Sequence, residues 1–242
     1  GGDGSGVGFV DLEQGWKLDH EDLIDAGIAR LPGQDYDPAT RHGTAVLGIV
    51  LAQDNQLGGV GITPHTRARV VSQHRTPDFK NFNTADAIAS ATASMHEGDV
   101  LLLEAQTQIG DSAYLPVEVE HAVWAAIATA TRKGIIVVEA GGNGGTDLDK
   151  FRDPRRGCLF KRGHPDFRDS GAIMVGAATA NHPHARITGN SRPTNFGSRI
   201  DCYAWGENID TASDVGPAST RYVTDFGGSS GGSAIVAGVG RA

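Results

Sequence analysis

The chain has 242 residues, 39% of them apolar, enough for one sizeable core. Its 34 glycines and 6% aromatics point to a turn-rich α/β protein and away from a helical bundle or a disordered chain. A net charge of −8 argues against nucleic acid as the main partner, and no apolar run reaches the ~20 residues that span a bilayer.

Taken in chain order, five short apolar runs read as buried strands: Val7–Leu12, Ala68–Val71, Val100–Leu103, Ile135–Val138 and Ala172–Gly176. Helical segments lie among them at His42–Gln53, Thr84–His96 and Val117–Lys133, with Thr84 and Gly134 as cap signals. Strands followed by helices predict a mostly parallel sheet with helices on both faces, a three-layer α/β fold. Continuous apolar runs such as "VLLL" and "IIVV" fit strands covered on both sides. The basic segment Lys150–Gly163 reads as a solvated surface loop. Cys158 and Cys202 are too few for a disulfide framework or a zinc site, and two free thiols are expected over a single bridge.

In open parallel sheets, chemistry gathers beyond the carboxyl ends of the strands. The first strand ends near Asp11, "VLLL" ends at Glu104, and "IIVV" leads through Glu139 to "AGGNGG". One helix opens with "HGT", and the last opens in "GGSSGGSAIVAG", residues 227–238. Those glycines cost backbone entropy, which a tight turn presenting one side chain at a helix mouth would justify. Ser229, Ser230 and Ser233 compete for that position. A serine hydroxyl is a poor nucleophile until a base takes its proton, an imidazole does so near neutral pH, and a carboxylate fixes its tautomer.

"VDLEQGW" with "DHEDL", then "RHGTAVLGIV", "VVEAGGNGG" and "GSSGGSAIVAG", resemble the motif series of the subtilisin-like serine proteases, in the order Asp, His, Asn, Ser. Each motif is weak alone; four in order, each at a strand or helix end, are specific. The resemblance runs from about Val7 to the end, in a chain that reads as one peptidase domain, residues 1–242, trimmed at both ends. It implies a serine endopeptidase that works through an acyl-enzyme on a polypeptide substrate. Asp11 would orient His42, His42 would take the proton of Ser230, and Asn143 with the Ser230 N–H would hold the oxyanion. On the residues alone, Asp19 and Asp22 remain competing carboxylates, and Asn143 has a turn-residue reading. The family pattern of glycine, small hydroxyl residue, nucleophile selects Ser230 through Gly228.

The resemblance also implies substrate-binding segments at Glu104, Ala105 and Gln106 and at Glu139, Ala140 and Gly141. It favours a secreted protein and leaves room for a flanking propeptide or additional domains. No cofactor is required for the chemistry. Structural calcium is an option that the acidic loops "DHEDLID" and "GGTDLDK" leave open, with no defined ligand spacing. The departures are Leu12 and Glu13 where a small residue and glycine usually follow the Asp, and Ala234 in place of a proline. Glu13 is expected close to the site, raising the pKa of His42. Glu104 and Glu139 are carboxylates at the ends of buried strands, so each needs a cation, a proton or a hydrogen-bond network. An internal partner is one reading; attraction of a substrate Arg or Lys before the scissile bond is the other. The alternatives to a peptidase are a catalytically silent relative that binds a peptide or partner, and a phosphate-binding domain. The second lacks both glycine-loop spacings.

Overall fold

All five apolar runs become strands of one parallel sheet in the computed structural model, which describes residues 2–79, 81–189, 192–214 and 219–240. The strands are β1 (Gly8–Glu13), β2 (Ala29–Arg30), β3 (Arg67–Ser72), β4 (Val100–Leu103), β5 (Gln106–Thr107), β6 (Leu115–Pro116), β7 (Ile136–Ala140), β8 (Ile173–Ala178), β9 (Cys202–Trp205), β10 (Ile209–Ser213) and β11 (Arg221–Phe226). The helices are α1 (Thr40–Leu51), α2 (Thr84–Ala93), α3 (His121–Arg132) and α4 (Gly228–Val239). Seven strands form the main sheet in the order β2-β3-β1-β4-β7-β8-β9, and every neighbouring pair is parallel. Two antiparallel pairs, β5 with β6 and β10 with β11, stand apart from it.

Period-2 alternation divides the core between the two faces of the sheet. Phe9, Val100, Leu102, Val138 and Val175 pack with α1 and α4, including Val46, Val50, Ala234 and Ala237. Val10, Leu12, Leu101, Leu103 and Val137 pack on the opposite side with Ile88 and Ala91 of α2 and Val123 and Ile127 of α3. The result is a three-layer α/β architecture, and its parity assigns every polar residue at a strand end to one face.

Three details differ from the sequence reading. The predicted helix from Val117 begins only at His121, because Val117–Val119 is a 3-10 turn and Glu120 is extended, with φ −75° and ψ 128°. Pro116 before it and alternating β-branched residues disfavour an α-helical start there. The cap of α2 is Asn83, whose side chain accepts the Asp86 N–H at 3.1 Å, and Thr84 is the first helical residue. β2, β5, β6, β9, β10 and β11 lie outside the five predicted runs. β2, β5 and β6 are two residues long, β9 and β11 carry exposed residues such as Tyr203, Trp205 and Tyr222, and β10 buries the polar Thr211 and Ser213.

Both thiols are free. The basic segment is only partly a solvated loop: Lys150 meets Asp147 at 2.8 Å, Arg156 meets Asp153 at 3.0 Å and Arg162 pairs with Asp201. Cys158, Leu159 and Phe160 within it are buried, the last two in a small core of their own. Among the described residues no helix is long and apolar enough to cross a membrane.

Candidate active site

Helix α1 delivers His42 from its first turn, and Gly43 behind it has a steric reason. A Cβ there would lie 2.5 Å from the Gly15 carbonyl and 2.6 Å from the Trp16 ring. The glycine lets the turn after β1 pass directly under α1, which brings the end of that strand to the imidazole. Glu13 Oε1 is hydrogen-bonded to His42 Nδ1, and the Phe226 ring meets the imidazole edge-on at 5.4 Å between centroids. The carboxylate is 3% exposed and the imidazole 42%, so a charged acid inside the protein steadies a ring that opens on solvent. Burial by itself lowers the imidazole pKa, but the Glu13 charge and hydrogen bond, helped by Glu104, outweigh it and push it up to about 9. Arg192 across the cleft opposes the rise.

Asp11 is not the partner of His42. Asp11 and Glu13 share one face of β1, but Glu13 is two residues nearer the carboxyl end, ~6–7 Å at a strand's rise per residue. Asp11 is fully buried beside the central strands, and its Oδ2 accepts the Trp16 Nε1–H at 2.7 Å. Desolvation, then the charge of Glu13, raises its pKa well above the carboxylate range. Neither competing carboxylate reaches the imidazole. Asp19 pairs with Lys17 at 3.3 Å, and Asp22 accepts the Gly59 N–H at 3.2 Å.

The three serines separate by what they touch. Ser229 Oγ lies 3.1 Å from Asn143 Oδ1 and accepts the Gly142 N–H at 3.2 Å. Ser233 Oγ is fully buried against Glu104 and the carbonyls of Ser229 and Ser230. Ser229 and Ser230 both line the cleft with His42, and Ser230 is the more accessible, at 8% against 1%. Gly228, at φ +77°, makes the turn that places it there.

Asn143 is oriented by a donor that leaves no choice. The Ser229 N–H reaches its amide at 2.8 Å, so the atom facing it must be Oδ1, and the Nδ2 donors lie on the other side. The Asn143 N–H donates to Gln106 Oε1 at 3.0 Å, a link between two strand ends absent from the sequence reading. At the start of α4 the Gly228 N–H goes to the Gly206 carbonyl at 2.7 Å and the Ser229 N–H to Asn143. The Ser230 N–H has no acceptor among the described residues, as expected in a first helical turn.

The cleft encloses about 510 Å³. Glu104, Ala105, Gln106, Ala140 and Asn143 line it, but Glu139 and Gly141 do not. Parity explains the first correction. Leu103 pairs with Glu139, so Glu139 points with Leu103 to the α2–α3 face, while Glu104 and Ala140 point to the α1–α4 face. Gly141 is committed to the scaffold. Its N–H meets the Val175 carbonyl at 2.8 Å, and its own carbonyl accepts Asn195 Nδ2 at 2.8 Å.

Glu139 has the internal partner that its burial requires. Its Oε1 accepts the Glu118 N–H at 3.0 Å, beside a buried ion pair in which Arg199 Nε meets Glu118 Oε1 at 2.7 Å. Desolvation, then the Glu118 charge, raises the Glu139 pKa, with Arg199 opposing. Arg199→Met should cost about 3–5 kcal/mol, because it strands buried carboxylates without their cation. Urea unfolding checks this, and a loss under about 1 kcal/mol would remove Arg199 as their compensating charge.

Within the acidic loops raised for calcium, several carboxylates have partners in the chain, while Asp22 Oδ1 is buried without a hydrogen bond among the described residues. Besides Asp22 on Gly59, Asp147 pairs with Lys150, and Asp149 accepts the Ser198 N–H at 2.9 Å.

Residues 20–240 match the family model described as peptidase S8, subtilase family. The chain belongs to the subtilase family. Its sequence is 27% identical over 207 residues to subtilisin DY of Bacillus licheniformis, covering 84% of this chain and 65% of that protein. Subtilisin BL of Lederbergia lenta is 27% identical over 212 residues, 85% of this chain and 66% of that one. The chain thus spans just under two thirds of the length of these relatives. A cold adapted subtilisin-like serine proteinase has the same fold, with a TM-score of 0.66 and 19% identity over 98% of this chain and 75% of that one. The self-cleaved protease domain of PatA gives a TM-score of 0.67 and 21% identity over 98% of this chain and 79% of that one. The subtilase match begins at His20, beyond the strand that carries Asp11 and Glu13.

Proposed function

We propose that this chain is a serine endopeptidase whose acid, base and nucleophile are Glu13, His42 and Ser230. The Glu13–His42 hydrogen bond at the mouth of a cleft lined by Ser230 and Asn143 carries the reading. Glu13 fixes the tautomer of His42 and stabilises the imidazolium that forms. His42 in its neutral form accepts the Ser230 proton as Oγ attacks the scissile carbonyl, giving an acyl-enzyme that water then hydrolyses. Asn143 Nδ2 and the Ser230 N–H would hold the oxyanion, with the positive end of α4 behind them. Subtilase membership supports hydrolysis of polypeptides in general, and the identity of the substrate rests on the cleft alone.

Asn143→Ala is expected to lower kcat roughly 10²–10³-fold with little change in KM, since its hydrogen bond forms mainly in the transition state. Steady-state kinetics on a peptide substrate test the assignment. A large rise in KM at unchanged kcat would make Asn143 a substrate-binding residue instead.

A further inference from the structure

Glu104 is a carboxyl on the α1–α4 face that lines the cleft and that the Glu13–His42–Ser230 reading leaves unused. It is 6% exposed and lines the cleft with Ser230. One donor atom from each of Glu13, His42 and Glu104 lies within 4.8 Å of the other two. Glu104 Oε1 is 2.5 Å from Ser233 Oγ, while Oε2 is buried without a hydrogen bond among the described residues. Ser233 Oγ also lies 2.8 Å from the Ser229 carbonyl and 3.1 Å from the Ser230 carbonyl. A hydroxyl has one proton to give, and with Glu104 ionised it would face three acceptors. A neutral Glu104 resolves this by donating to Ser233 Oγ, which then donates to a carbonyl.

The surrounding charges agree. Asp11 and Glu13 face Glu104 from β1, His42 from α1, and only hydroxyls from α4, while Arg192 acts on the same cluster through His42. Burial, and then Glu13, push the Glu104 pKa up to about 8, against His42 and the hydroxyls of Ser233 and Ser230.

Building on the peptidase reading, we propose that Glu104 is a second proton-transfer group at Ser230, sharing with His42 the vacancy that receives the serine's proton. With both groups protonated, Ser230 has no acceptor. Loss of one proton to solvent opens a single vacancy across the pair. The Ser230 O–H bond then breaks as Oγ bonds to the scissile carbon, the carbonyl π pair moves onto oxygen, and the serine's proton fills the vacancy. The pair returns one proton to the departing amine as the C–N bond breaks. Water repeats the cycle on the acyl-enzyme, with no other reactant.

Glu104→Gln keeps the shape and the contact with Ser233 but holds no transferable proton. The test is kcat and KM from pH 5 to 10, on a neutral peptide and on one with Arg before the scissile bond. The expected result is a fall in kcat of about 10²-fold on both substrates at nearly constant KM. The rising limb of the profile should also move to higher pH, because His42 alone must then lose the proton that either member of the wild-type pair can shed. Glu104→Asp, which retains a titratable carboxyl, should recover part of the rate and the wild-type limb. An unchanged pH profile and kcat in Glu104→Gln would overturn the proposal. A loss confined to KM for the Arg substrate would also overturn it and make Glu104 a substrate-charge site. Wild-type protein that neither hydrolyses peptides nor reacts with a fluorophosphonate would instead defeat the peptidase reading beneath it.

Discussion

Ser230→Ala is expected to abolish peptide hydrolysis while leaving the fold intact. The hydroxyl lies at the cleft surface of α4 and is not part of the contacts that hold the helix down. Those belong to its neighbours: Ser229 binds Asn143, Ser233 binds Glu104, and Ala234 and Ala237 fill the core. The loss in kcat should be on the order of 10⁶, the scale for removing a triad serine. Hydrolysis of a mixed peptide library, with circular dichroism as the control for folding, measures it. Undiminished hydrolysis by purified Ser230→Ala protein would refute the nucleophile.

Glu13→Gln should be nearly as damaging, at about 10⁴-fold in kcat, because the amide leaves His42 without the acceptor that fixes its tautomer and balances its charge. Asp11→Asn should cost far less activity, since that carboxyl is bound to Trp16, away from the imidazole. The pair of variants decides between the two acids: equal activities, or a larger loss at Asp11, would return the role to Asp11. The pH profile supplies an independent sign. A base must be neutral, so an imidazole pushed up to about 9 places the rising limb of wild-type kcat/KM on the alkaline side of neutral. Glu13→Gln removes the main cause of that rise and moves the limb to lower pH. Stability follows the same linkage. The raised His42 pKa contributes stability that is complete below its ordinary value near 6.5 and is lost as pH climbs through about 9. The stability gap between wild type and Glu13→Gln should therefore narrow across that window.

The parallel sheet was legible because buried strands need uninterrupted apolar runs, and Val100–Leu103 matched to the residue. His42, Asn143 and Ser230 were legible because each sits at a glycine-marked turn beside a strand or helix end. The acid was harder. Asp11 and Glu13 both lie on one face of one strand, and composition does not distinguish them; the depth at which α1 crosses the sheet does. The signal that favours Glu13 is its place at the carboxyl end of the strand, the end at which chemistry gathers in parallel sheets. Glu104 and Glu139 looked equivalent at two strand ends, yet the one-residue offset between β4 and β7 sends them to opposite faces. Arg199 and Glu118 were invisible as a pair because 81 residues of sequence separate them.

The most direct test of the Glu13–His42–Ser230 centre is the site and rate of fluorophosphonate labelling on the folded chain, located by mass spectrometry between pH 6 and 9. The expected result is a single adduct on Ser230, forming faster as pH rises in wild type and slowed by orders of magnitude in Glu13→Gln. An adduct on Ser229 or Ser233, a Ser230 adduct whose rate ignores Glu13, or no adduct on folded protein would contradict it.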